Sequence, residues 1–361
     1  VETSAVAHDG QQIRSFVMTL SLSRRSLLAV GGAAGASLAL PRIGFAQSAA
    51  RTLKISHQFP GGTIEQGDFR DRLVRIFAQK VEEKTKGALK FEIYANSSLM
   101  KTNAQYSALR KGALDLSLYP LAYSGGEVHP NNLGLMPCLV TNYETAAKWK
   151  TSKIGEALNK INEEKGVKIV SWVWQAGGIA ARGKAITNPE DVKGVKIRGG
   201  SREMDLMFTA AGGAVSTMPS NEIYIGMQTG SLDAAVTSST SLISFRLEEL
   251  SKSLTANKGR SFWFMLEPVL ISKSIFDSLP ADQQKAILDV GAEMEAWGQA
   301  EAKKDDETVA KVYGAKGCEI ASLSEANLAN WRKVAEASAW ADYAAKSTEA
   351  AELLALAKAL A

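Results

Sequence analysis

The sequence predicts an α/β fold of two domains, with mixed sheets, strands that cross between the domains and one long helix spanning both. Three observations carry this. Short apolar segments alternate with helical ones over residues 53–237, the pattern of a parallel or mixed sheet covered by helices. The 315 residues that follow the first 46 of 361 are enough for two domains with a sizeable core. Residues 280–316 read as a single helix. At 1.5 Å per residue it is about 50 Å long, more than a small domain is wide.

The elements follow in order. Residues 53–57 alternate as a strand and end at Pro60-Gly61-Gly62. Residues 66–84 place Phe69, Leu73, Ile76, Phe77 and Val81 at helical spacing. Strands follow at 89–94 and 114–119, around a helix at 104–111 that Gly112 stops. A helix at 144–165 precedes strands at 168–174, 180–185 and 195–198. Helices at 203–211 and 222–229 alternate with extended pieces at 214–215 and 234–237. Residues 261–272 are a long apolar extended segment that returns to the first sheet. Pro280 suits the start of the long helix, because the first backbone N–H has no helical partner to lose. Residues 324–361 are helical, with Trp331, Val334, Ala335 and Trp340 on a docking face. The glycine pairs at 61–62, 125–126, 177–178, 199–200 and 212–213 read as turns. With no floppy connector in the sequence, the boundary falls in crossing strands: residues 47–174 plus about 263–300 in one domain, about 175–262 plus about 301–361 in the other.

Residues 1–46 are set aside as upstream sequence and an export signal. Ser23-Arg24-Arg25-Ser26-Leu27-Leu28, an uncharged run over 29–40 and the small-residue exit Gly44-Phe45-Ala46 describe a signal of twin-arginine type, cleaved after Ala46. The expected location is the periplasm. Cleavage lowers the net charge from +4 to +2, too weak and dispersed for a nucleic-acid partner. Cys138 and Cys318 are the only cysteines, 180 residues apart, and are expected as two buried thiols. His8, His57 and His129 are scattered, and there is no HExxH, CxxC, P-loop or GxSxG. Neither a metal nor another cofactor is expected. An enzyme acting on small acids would have to rely on Glu222 or His57 alone, without a nucleophile–base pair.

The motifs give the positive evidence. The segment Pro189-Glu190-Asp191-Val192-Lys193-Gly194-Val195-Lys196-Ile197-Arg198 is followed by Gly212-Gly213-Ala214-Val215-Ser216-Thr217-Met218-Pro219. Next comes Glu222-Ile223-Tyr224-Ile225-Gly226-Met227-Gln228-Thr229-Gly230-Ser231-Leu232-Asp233. In this order the three blocks resemble the substrate-capture subunit of TRAP (tripartite ATP-independent periplasmic) transporters, the dicarboxylate-receptor-like family. Lys111-Gly112-Ala113-Leu114-Asp115 and Phe276-Asp277-Ser278-Leu279-Pro280 agree with it. The resemblance implies a periplasmic-binding-protein fold of type II kind, capture of an organic acid between the domains, hinge closure, and delivery to integral-membrane permease subunits. The chain departs from the family at Ser216, where proline is usual, and at Ala234, where glycine is usual. It also departs at Thr237 or Ser238, where some members have asparagine, and at Gly178, where sugar-acid binders have a second arginine.

Arg198 ends a strand before Gly199-Gly200, where open α/β sheets place ligands, and its planar fork fits a carboxylate. Arg182 shares strand parity with Gly178 and is a candidate second cation, with the capping of a sheet edge as its structural alternative. Ser220, Asn221, Thr237 and Ser238 lie in the motif loops as hydrogen-bonding candidates. Tyr123 and Trp174 are the candidate aromatic walls, and His57 and Gln58 the candidate distal contacts. With Gly178 small and aromatic walls expected, the ligand leans to a hydrophobic or aromatic monocarboxylate, bound by a monomer. A solute sensor feeding a signalling receptor would look the same in sequence.

Overall fold

Two sheets organise the chain in a computed structural model that describes residues 50–256 and 260–360. The export signal and its cleavage point lie outside the described residues. In chain order the first sheet's elements begin with β1 (Arg51–Ser56), α1 (Phe69–Lys84), β2 (Leu89–Tyr94), α2 (Gln105–Arg110) and β3 (Leu116–Leu118). Then come α3 (Tyr143–Lys148), α4 (Lys153–Glu164) and β4 (Val167–Ser171). The chain leaves through β5 (Trp174–Ala181) and builds the second sheet from β6 (Lys196–Arg198), α5 (Arg202–Ala210), β7 (Ala214–Val215), α6 (Ile223–Thr229), β8 (Ala234–Ser238), α7 (Ser239–Ser244) and β9 (Ser253–Thr255). It returns through β10 (Phe264–Leu266), β11 (Val269–Ser272) and α8 (Lys273–Asp277). It ends with α9 (Ala281–Ala315), β12 (Glu319–Ala321), α10 (Glu325–Ala335), α11 (Ala341–Ala344) and α12 (Thr348–Lys358).

The first sheet runs β2-β1-β3-β11-β4, with β1 parallel to β2 and β3, and β11 antiparallel to both its neighbours. The second runs β12-β9-β5-β8-β6-β7, with β10 pairing β5. Both are mixed, as the alternation predicts. β5 is the crossing strand: its first residues pair antiparallel with β10 and its last with β8 and β9.

All eight residues of β5 are buried. Gly177 and Gly178 therefore sit mid-strand, not in a turn. The reason is close backbone approach: a Cβ at Gly177 would collide with the Thr237 carbonyl and the Trp263 ring, and one at Gly178 would lie 2.5 Å from the Thr255 carbonyl oxygen. Two other segments also divide. The helix expected over 144–165 breaks into α3 and α4, because Trp149 turns fully into the core and Ser152 caps a new helix by accepting from the Gly155 N–H. The extended run 261–272 splits at Glu267-Pro268, so that β10 serves the crossing strand and β11 the first sheet.

α9 has 35 residues and starts after Pro280, as the sequence predicts. It packs on α1 and β4 of the first lobe, and further along on α7, β9 and β12 of the second. The C-terminal segment, expected wholly with the second domain, divides between the lobes. α10 packs on α5, whereas α12 packs on α4. Trp331 and Trp340 anchor it, donating their indole N–H groups to the carbonyls of Thr187 and Pro137 at 2.9 and 2.8 Å. Cys138 and Cys318 are both free and buried. No described helix is long and apolar enough to cross a membrane.

Candidate ligand-binding site

The C-terminal ends of β1, β3, β6 and β8 converge where the two lobes face each other, the crevice in which open α/β sheets bind ligands. β6 delivers Arg198 there. Its side chain is fully buried, and three of its five N–H groups are held: Nε donates to the Met218 carbonyl at 3.0 Å, Nη1 to the Val236 carbonyl at 2.9 Å and Nη2 to the Tyr123 hydroxyl at 2.6 Å. One N–H on each terminal nitrogen remains. Asp205 feels its charge, but no carboxylate of the described residues lies within ion-pair distance of it. The hydrogen-bond partners of this buried guanidinium are thus all neutral, an environment in which its charge is costly. Gly200, with φ +100°, lets the chain turn beside it; a Cβ there would sit 2.6 Å from Nη1.

Tyr123 comes from the first lobe. Its oxygen also accepts from the Ser220 N–H at 3.2 Å, and its ring stands edge-on to Tyr119 at 6.0 Å. Tyr123, Gly200 and Met218, which surround the guanidinium, also line a cleft of about 310 Å³ between the lobes, of which Arg198 itself is not a wall. The side-chain oxygens of Ser220, Asn221 and Thr237 are buried without a hydrogen-bond partner, as are Gln58 Nε2 and the Tyr119 hydroxyl. Such atoms in a native fold call for an explanation.

Four sequence candidates have other employment. Arg182 is exposed beyond the end of β5, its backbone N–H on the Asp233 carbonyl, at the opposite end of β8 from Ser238. Trp174 packs edge-on against Trp149 at 5.1 Å, and with Trp172 it faces a groove beside Lys150 and Glu295. Ser238 caps α7 through the Ser241 N–H and accepts from Arg70. His57 is used at both nitrogens: Nδ1 accepts from the Phe59 N–H at 3.3 Å, which leaves Nε2 to donate to Asp71 at 3.1 Å. Burial pushes the Asp71 carboxyl up, yet hydrogen bonds from His57, Arg75 and the Gly62 N–H hold it below its ordinary value.

Arg70 was not foreseen from the sequence. From the first turn of α1, and 0% exposed, it makes a two-pronged pair with Asp68 at 2.9 and 2.7 Å. It reaches Glu267 and Ser238 at 3.3 Å and Ser241 at 3.0 Å, and stacks 3.6 Å from the Phe59 ring centroid. The only local signal was Asp68 at a helix N-cap, two residues before an arginine. Unlike Arg198, this guanidinium is fully paired, and it ties the first lobe to β8 and α7 of the second.

The family model for bacterial extracellular solute-binding proteins, family 7 (DctP), matches residues 64–347. A solute-binding protein of Albidiferax ferrireducens is 56% identical over 93% of this chain and 99% of its own. The C4-dicarboxylate-binding periplasmic protein DctP of Rhodobacter capsulatus is 27% identical over 87% and 92%. Among solved structures, a TRAP periplasmic solute-binding protein of Rhodoferax ferrireducens with bound malonate superposes with a TM-score of 0.84 at 58% identity, covering 85% of this chain and 98% of that one.

Proposed function

Since the chain belongs to bacterial extracellular solute-binding protein family 7, whose relatives include TRAP solute receptors, we propose that it captures a small organic acid in the periplasm. The acid's carboxylate lies on Arg198, and the loaded receptor is delivered to a TRAP-type permease. One observation carries the reading: a fully buried guanidinium, with one N–H free on each terminal nitrogen and no described carboxylate within ion-pair distance. The relative crystallised with malonate supports a carboxylate as the partner. Export follows the twin-arginine route. The receptor is a monomer and turns nothing over.

Capture proceeds by closure. The hinge lies where β5 and β10 cross, near residues 174–176 and 264–266, so that the domains are residues 47–174 with the return through β11, and the second sheet with its helices. Tyr123 on one lobe meets Arg198 and Ser220 on the other. A carboxylate on Arg198 is thus positioned to take the Tyr123 O–H as well, and to favour the closed state through contacts with both lobes.

The lean to a hydrophobic or aromatic monocarboxylate draws support from the Thr255 carbonyl, which leaves no room for a side chain at residue 178, whereas the malonate of the crystallised relative is a dicarboxylate. Aromatic surface near Arg198 comes from Tyr119 and Tyr123, while Trp174 faces elsewhere. Mass spectrometry of solutes released from the purified, denatured protein tests the reading. A single stoichiometric carboxylic acid is expected, and a neutral sugar or a cationic amine would refute it.

A further inference from the structure

Glu267 and Gln175 form a buried pair that the carboxylate reading leaves unexplained. They are 0% and 1% exposed and sit where the chain crosses between the lobes. The strand ladder pins both: Gln175 lies opposite Met265, and the Glu267 N–H donates to the Val173 carbonyl at 2.7 Å. Gln175 Nε2 and Arg70 Nη1 both donate to Oε2 of Glu267. The other oxygen of Glu267, Oε1, and the single side-chain oxygen of Gln175, Oε1, are buried and accept from no described residue. Arg70 has no donor to spare, because Asp68, Glu267, Ser238 and Ser241 occupy its fork. The cluster therefore has acceptors in excess, where the surroundings of Arg198 have donors in excess.

The two places are close. Arg198 holds the Val236 carbonyl and Arg70 the Ser238 hydroxyl, so the guanidiniums grip β8 two residues apart, about 7 Å of extended chain. Resting on the Arg198 reading, we propose that Glu267 and Gln175 receive a hydrogen-bond donor of the same solute. The ligand is then a small acid carrying a hydroxyl or ammonium group on its carbon skeleton. A site whose buried acceptors expect a donor discriminates strongly against the analogue that lacks it.

Calorimetric titration with the unsubstituted, hydroxy and amino members of the three-, four- and five-carbon monocarboxylic acids tests this. At one chain length the hydroxy or amino acid should bind at least ten-fold tighter than the unsubstituted acid, and which of the two does so identifies the donor. Gln175→Met, with Glu267→Gln as a second variant, should bring that ratio within three-fold. Thermal melts confirm that each variant is folded. Acids that bind, lose binding in Arg198→Ala and show no preference for a donor overturn this inference alone; a proton on Glu267 shared with Gln175 then satisfies the pair internally. A series in which no acid binds overturns this inference alone, and acids that bind Arg198→Ala equally well overturn both readings.

Discussion

The place of Arg198 at a strand end was legible because its motif fixes where β6 stops. The three neutral groups that hold it come from 20, 38 and 75 positions away, and only Tyr123 among them was a sequence candidate. Arg70 was illegible for the same reason at greater range: apart from Asp68, its partners lie 168 to 197 positions along the chain. The pair Gly177-Gly178 carries two meanings in sequence, turn or tight approach, and only the neighbouring strands decide between them. Gly177→Ala should destabilise the fold by about 1–3 kcal/mol, the cost of overpacking, read as a lower urea midpoint at unchanged slope. A pH effect follows from Glu203, whose buried carboxyl is pushed up to about 7 by loss of solvation, with Arg202 opposing. The folded state then holds a proton that the unfolded state has released. Stability from this group is full below about 4.5 and is lost as pH rises toward about 7. Thermal melts across that range should show a decline that Glu203→Gln flattens.

At the scale of elements, α9 was the easiest to read and matched to within a residue at each end, because helix formers and a leading proline are local signals. The break between α3 and α4 was hidden, since the sequence pattern stays helical while the burial of Trp149 forces the turn. α9 owes its seat to glycine. A Cβ at Gly291 would collide with the Val170 carbonyl of β4, and one at Gly298 would come within 2.9 Å of Leu73. Gly291→Ala sets a helix-propensity gain of about 1 kcal/mol against a backbone clash that a rigid sheet cannot relieve. The clash should win, lowering the melting temperature. An increase in melting temperature would mean that α9 slides freely on β4.

At the scale of the molecule, the long helix was foreseen as joining the lobes, whereas β5 was read as two strands around a turn at Gly177-Gly178, and the division of the C-terminal segment was hidden because α12 meets α4 only after both lobes are built. Ligand-driven closure predicts a smaller radius of gyration with saturating acid by small-angle scattering, and no such change in Arg198→Ala. An unchanged curve would mean a preformed pocket. Cys138 and Cys318, free and buried, with burial pushing both thiols up, should label with a thiol reagent only after denaturation and without prior reductant. The central claim is the bond between Arg198 and a solute carboxylate, and calorimetry on the variants tests it most directly. With the acid found in the protein, Arg198→Ala should weaken binding by about 3–5 kcal/mol, as expected when a buried charge loses its partner. Arg198→Lys should recover little, since an ammonium lacks the fork. An alanine variant that binds within three-fold of the unaltered protein would contradict the account.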